Sequence, residues 1–219
     1  MPKPIVSAIQ IFPSNDNHAF LSADFLTLVE IESTDAAPFL IVGDTMSTRH
    51  DLYKDGVDFT TLALQSPDFA KYLKPNNQLD FTDPNAVRQL TVSLLQRDFD
   101  LKVDIPEARL CPPVPNRLNY ILWLQDLIDT TGDEYRDEYN SDRKVTGLDI
   151  GTGCCSIYPL LGTSMRPNWS FLATDIDHEN VRTATHTVKS NDLESRIHVV
   201  KTIPSDNLIS INLIPGAER

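Results

Sequence analysis

The segment Thr146-Gly-Leu-Asp-Ile-Gly-Thr-Gly153 joins an apolar run carrying Asp149 to a Gly-x-Gly turn at Gly151 and Gly153. A helix is predicted to open behind it at Cys155 and Ser156. Strand, glycine turn and helix in succession form the unit of a doubly wound α/β sheet, whose turn presents backbone N–H groups to a nucleotide. Glycine is demanded there because a Cβ would block the ligand's approach and because the turn needs permissive φ values. This segment therefore commits the surrounding chain to parallel strands joined by right-handed helical crossovers.

The flanking sequence follows that rhythm. Strands are predicted near 145–150, 170–174 and 197–201, with helices near 155–164 and 178–190. Two successive βαβ steps make the first βαβαβ half of a Rossmann-like domain over residues 144–219, an α/β class. Residues 46–143 read differently, as a small helical module and linker. Asp58 caps a predicted helix carrying Phe59, Leu62, Ala63 and Leu64, and Pro67 ends it. Asp83-Pro84 is a cap with Pro at the first helical position, followed by Val87, Leu90, Leu94 and Leu95 at spacings of three and four. Pro112, Pro113 and Pro115 hold 110–116 out of helix, and an amphipathic helix is predicted from Arg117 to Ile128. Asp129–Arg143 reads as a solvated acidic linker. Residues 1–45 carry apolar clusters without a clean helical or strand period, and Met46 precedes a polar run that looks like a natural start.

A net charge of −12 argues against indiscriminate nucleic-acid binding and leads us to expect no DNA partner. A local basic groove stays open, because charge distribution rather than the sum steers a ligand. Lys71, Lys74, Arg88 and Arg97 are its candidates, a solvated helix face being the competing reading. Cys111, Cys154 and Cys155 have no metal-ligand spacing, and a vicinal disulfide is strained, so reduced thiols are expected. No segment approaches the roughly 20 apolar residues of a membrane span, and the N-terminus is a poor secretory signal. An intracellular protein, nuclear or cytoplasmic, is expected. The histidines His50, His178, His186 and His198 read as surface or structural, and Trp123 and Trp169 as core or packing residues.

Asp175 closes Phe171-Leu-Ala-Thr-Asp, about 20 residues past the glycine turn, where a carboxylate accepts hydrogen bonds from ribose hydroxyls. Asp149, two before the first Gly, gives the D-x-G-x-G form typical of S-adenosylmethionine (SAM) sites, and Ser156 stands where a dinucleotide fingerprint wants a third Gly. SAM carries no pyrophosphate for a helix N-terminus to hold. A dinucleotide and a ligand-free structural turn remain the alternatives.

Beyond the turn, Ser66-Pro-Asp-Phe69, Asp104-Ile-Pro106, Val114-Pro115, Arg117-Leu-Asn-Tyr-Ile121, Asp149-Ile-Gly-Thr-Gly153 and Ile157-Tyr-Pro-Leu-Leu-Gly162 occur in one order. In these the chain resembles the methyltransferase-like family of U6 small nuclear RNA adenosine N6-methyltransferases, related to the bacterial adenine methyltransferase F of large-subunit ribosomal RNA. The resemblance spans roughly Arg49 to Thr202. It implies a helical RNA-contacting module ahead of a SAM domain, with structured RNA (U6 or ribosomal) as partner. It also implies that Arg117 meets the cofactor's methionine carboxylate, Gly151 and Gly153 face its methionyl part, and Asp175 its ribose. Cys155 would contribute through backbone or a weak thiol donor. The family's chemistry belongs to an Asn-Pro-Pro-Phe loop that holds the adenine amine in line with the methyl group. No Asn-Pro-Pro occurs in these residues, Cys111-Pro-Pro113 being a decoy. The expectation is a chain truncated before its catalytic loop and inactive by itself, with a non-catalytic RNA- or SAM-binding fragment and an NAD-binding oxidoreductase fragment as alternatives.

Overall fold

The computed structural model describes residues 8–13, 52–109, 111–130 and 143–203. The elements below belong to one compact unit, and the turn at 52–55 belongs to another.

Two helices start where the sequence places their caps. α1 (Phe59–Gln65) opens on Asp58, whose carboxylate accepts from the N–H groups of Thr60 and Thr61. Those are donors that a helix start otherwise leaves unsatisfied. α2 (Pro67–Ala70) follows at once, and α3 (Pro84–Phe99) begins on Asp83, which accepts from Asn85 N–H. α3 ends at Asp100, whose left-handed φ of 54° turns the chain out of the helix. Leu62, Phe69, Leu94 and Leu95 are buried, whereas Leu64 is 83% exposed. Residues two apart lie about 200° apart around a helix, so Leu62 and Leu64 cannot share a face.

α4 (Val114–Thr130) starts three residues before the predicted Arg117. Pro115 does not delay it, because in a first turn the missing N–H has no partner to lose. At its other end, Asp129 is buried rather than solvated and accepts a hydrogen bond from the buried Arg166. Removing either partner would strand a charge in the interior. The rest of the predicted linker, and His50, lie outside the described residues.

The sheet is built from β2 (Val145–Ile150), β3 (Trp169–Asp175) and β4 (Ile197–Lys201), linked by α5 (Ile157–Met165) and α6 (His178–Ser190). Both pairings are parallel, with Val145 opposite Trp169 and Phe171 opposite Ile197. A fourth strand, β1 (Ala8–Pro13), lies antiparallel to β2, with Ala8 opposite Ile150. It falls in the stretch read as having no strand period. Backbone pairing along an open sheet edge needs no side-chain alternation, so the pattern carried no sign of it.

On one face Ile128, Val145, Trp169 and Phe171 cluster; on the other Leu148 and Leu172 pack with Ile150 and Val200. Trp169 is core as expected, but Trp123 is 55% exposed, its ring 5.6 Å from that of Tyr120. His178, His186 and His198 are exposed. Parallel pairing brings the carboxyl ends of β2 and β3 together, so Asp149, the glycine turn and Asp175 meet at one edge.

Candidate cofactor site

The turn after β2 has the backbone its glycines were chosen for, with φ of 75° at Gly151 and 70° at Gly153. Its donors, however, point the other way. The N–H groups of Gly151 and Thr152 donate to the Thr174 carbonyl at 2.8 and 2.9 Å, and that of Gly153 donates to Asp175 Oδ2 at 2.9 Å. The expectation that these groups face a nucleotide is therefore corrected. The adjacent parallel strand ends close enough to consume all three.

The turn offers space instead. A Cβ placed on Gly153 would meet nothing within 4 Å, so its absence leaves an open surface. A pyrophosphate would require N–H donors from this turn; a ligand without phosphate would not. Ser156, at the third fingerprint position, adopts a left-handed φ of 51° while fully buried. It thus carries the strain a glycine would have avoided, of order 1–2 kcal/mol.

A cleft of about 180 Å³ opens over the turn, lined by Arg117, Gly151, Gly153 and Cys155 among the predicted residues. Asp149 and Asp175 do not line it; both are buried beside it. The Arg117 guanidinium lies over the Tyr158 ring at 5.6 Å, and no carboxylate among the described residues pairs with it. Tyr158 in turn packs edge-on against Tyr120 at 5.3 Å, and burial pushes both phenols above their ordinary range.

The lining residues that were missed include Arg109, Cys154, Tyr158 and Asn180. Arg109 donates to both carboxylate oxygens of Asp177 at 2.8 and 3.2 Å, which holds that carboxyl down at about 2. Asp177 also caps α6 by accepting from Glu179 and Asn180 N–H. Asn180 then donates to Asp175 Oδ2 at 3.2 Å. The Asp177 cap and its helix were readable in sequence, which would have flagged Asn180 in the first turn. Arg109 had no such signal, because its partner lies 68 residues away.

Asp175 Oδ1 accepts from Asp177 N–H at 2.9 Å, so its two oxygens already hold three donors. Asp149 is the reverse case. Its Oδ2 accepts from Thr152 Oγ1 at 2.6 Å, but its Oδ1 is buried with no partner. Burial, with the Asp175 charge nearby and against the Thr152 bond, pushes its carboxyl up to about 7.

Each of the four candidate groove cations has a local partner. Lys71 pairs with Asp68, Lys74 with Asp80 and Arg97 with Asp98, while Arg88 bonds Asn85 and the Glu107 carbonyl. No helix among the described residues is long and apolar enough to cross a membrane.

A sequence profile for a family described as RNA methyltransferase matches residues 42–219. The chain belongs to that family. It is 45% identical to the mouse RNA N(6)-adenosine-methyltransferase METTL16 over 162 residues, covering 72% of this chain and 28% of the relative. It is 34% identical to a U6 small nuclear RNA (adenine-(43)-N(6))-methyltransferase of Dictyostelium discoideum, covering 76% of this chain and 30% of that protein. Among solved structures it resembles the N-terminal domain of human METTL16 in complex with SAH. That match has a TM-score of 0.65 at 41% identity, over 78% of this chain and 64% of the other. The human METTL16 catalytic domain in complex with MAT2A 3′UTR hairpin 1 gives 0.62 at 41%, over 74% and 53%. The chain thus spans less than a third of the length of these two curated relatives and carries part of a Rossmann-like fold.

Proposed function

We propose that this chain is the cofactor-binding part of a SAM-dependent RNA adenine-N6 methyltransferase acting on structured RNA of the U6 type. One observation carries the reading. Among the described residues Arg117 has no carboxylate partner, and it lies on a cleft whose glycine turn has spent its three N–H donors. Such a cleft suits a ligand with a carboxylate and no phosphate. The residues fit that group: Arg117 would hold the methionine carboxylate through a charge-assisted fork. Gly151 and Gly153 would leave room for the methionyl part, with Cys155 beside it. Asp175 would meet the ribose, since a carboxylate has about four acceptor positions and three are filled. Asp149 would act from beneath through Thr152, holding the turn. SAM supplies the methyl group when bound; the protein orients it.

The named relatives support RNA adenosine as substrate, and those acting on U6 small nuclear RNA support an intracellular, nuclear setting. The Asn-Pro-Pro-Phe loop associated with adenine positioning does not occur in these 219 residues. We therefore expect cofactor binding without methyl transfer from this chain alone. Calorimetry with S-adenosylhomocysteine (SAH) and with NAD tests the cofactor. SAH should bind and NAD should not, and Arg117→Ala should weaken SAH by about 10- to 100-fold, the value of a charged hydrogen bond. Preference for NAD, or indifference to Arg117→Ala, overturns the proposal. Transfer of label from SAM to a U6-type hairpin by the purified chain would overturn the expectation of inactivity.

A further inference from the structure

We infer that Tyr158 is a positioning residue, whose ring holds the Arg117 guanidinium in the cleft while leaving its N–H groups free for a ligand's carboxylate. The inference rests on the cleft being the cofactor site. Arg117 stands in the first turn of α4 and Tyr158 in the first turn of α5, and both line the cleft. The guanidinium carbon lies over the Tyr158 ring, 5.6 Å from its centroid. Tyr120, three residues after Arg117, stands on the same side of α4 and meets that ring edge-on at 5.3 Å. Tyr120 thus fixes the ring on which Arg117 rests.

Two other guanidinium groups show what the ring contributes. Arg109, in the same lining, spends N–H groups on both carboxylate oxygens of Asp177. Arg166 also lies over a ring, that of Trp169 at 6.0 Å, but it is buried and donates to Asp129. In both cases a carboxylate cancels the charge and fills the donors that would recognise an anion. Arg117 has the ring and, among the described residues, no carboxylate. A ring attracts a cation over its face, whereas a guanidinium binds a carboxylate through its in-plane N–H groups, so the two contacts do not compete. Ordering a long side chain at the moment of binding costs affinity, and a ring that orders it beforehand removes part of that cost. Tyr158 therefore acts on the ligand through Arg117.

Calorimetry of the whole chain tests this with SAH and with decarboxylated SAH, which lacks only the carboxylate. Tyr158→Leu should weaken SAH by about 3- to 10-fold, as loss of a half-buried cation–π contact does, and leave the decarboxylated analogue within about twofold. In the Arg117→Ala background the same change should have no further effect on SAH. Tyr158→Phe keeps the ring and should bind SAH as the parent does. Replacing Tyr158 by a ring-trifluorinated phenylalanine keeps the shape but drains the ring face of negative charge. It should weaken SAH about threefold or more relative to Tyr158→Phe. That comparison removes no packing, so it decides the matter even where Tyr158→Leu fails to fold. Equal weakening of both ligands by Tyr158→Leu, or a fluorinated ring that binds SAH like Tyr158→Phe, overturns the inference. So does a loss for SAM far exceeding that for SAH, which would set the ring against the sulfonium. SAH binding that falls in Arg117→Ala but not in Tyr158→Leu overturns this inference alone. A parent chain that binds no SAH, or an Arg117→Ala chain that binds it unchanged, overturns the functional reading with it.

Discussion

Gly162→Ala sets two opposing effects against each other at one residue. Gly162 lies inside α5, where alanine in place of glycine stabilises a helix by about 1 kcal/mol. Against this, a Cβ there would stand 2.5 Å from Phe171 Cζ, 2.7 Å from Cε2 and 3.3 Å from Trp169 Cε3. Carbon atoms rest about 3.5–4.0 Å apart, so the ring must retreat by roughly 1 Å. It has nowhere to go. Phe171 is 1% exposed, and its other edge lies so near Gly147 that a Cβ there would stand 2.5 Å from Cδ1 and Cε1. Overpacking of a confined core costs about 1–3 kcal/mol, and two contacts this short place the site at the upper end. The helix gain offsets part of it, leaving a net loss of about 1–2 kcal/mol, or some 2–8 °C in Tm for a chain of this size. Urea denaturation should show a lower midpoint with an unchanged slope. Phe171→Leu in the Gly162→Ala background should cost less than Phe171→Leu alone, a favourable coupling measured by the double-mutant cycle. An equal or higher midpoint for Gly162→Ala would show that the ring is not wedged between the two glycines.

Two further outcomes follow from the site. The folded-state pKa of Asp149 is raised from 3.8 to about 7 by burial. The protonated form is the stable one, so its contribution is full below about 4 and is lost as pH rises through about 7. Asp149→Asn should flatten that fall and raise stability at pH 8 by up to about 4 kcal/mol, the ceiling set by the shift; a urea midpoint whose pH slope matches the parent's would refute it. Asp177→Asn should keep the α6 cap while removing the charge that holds Arg109, whereas Asp177→Ala loses both and should cost about 1 kcal/mol more. Equal melting temperatures for the two variants would count against the cap.

Local chemistry was enough to decide the three parallel strands, the capped helices and the identity of the turn. Asp58, Asp83 and Asp177 each cap the helix that the pattern places behind them, because a cap and its N–H donors lie within three residues. The positive φ of Gly151 and Gly153 follows equally from the turn. Tertiary structure decided what those elements do to each other. It turned the glycine N–H groups onto Thr174 and Asp175, paired Arg109 with Asp177, buried Asp129 against Arg166, and wedged Phe171 between Gly147 and Gly162. Each of these joins residues nine or more positions apart, where no period or spacing in the chain records which partner will be near. The D-x-G-x-G segment therefore names the site. Only the neighbouring strand shows that the turn's backbone donors are already taken, and the role proposed for Arg117 rests on that.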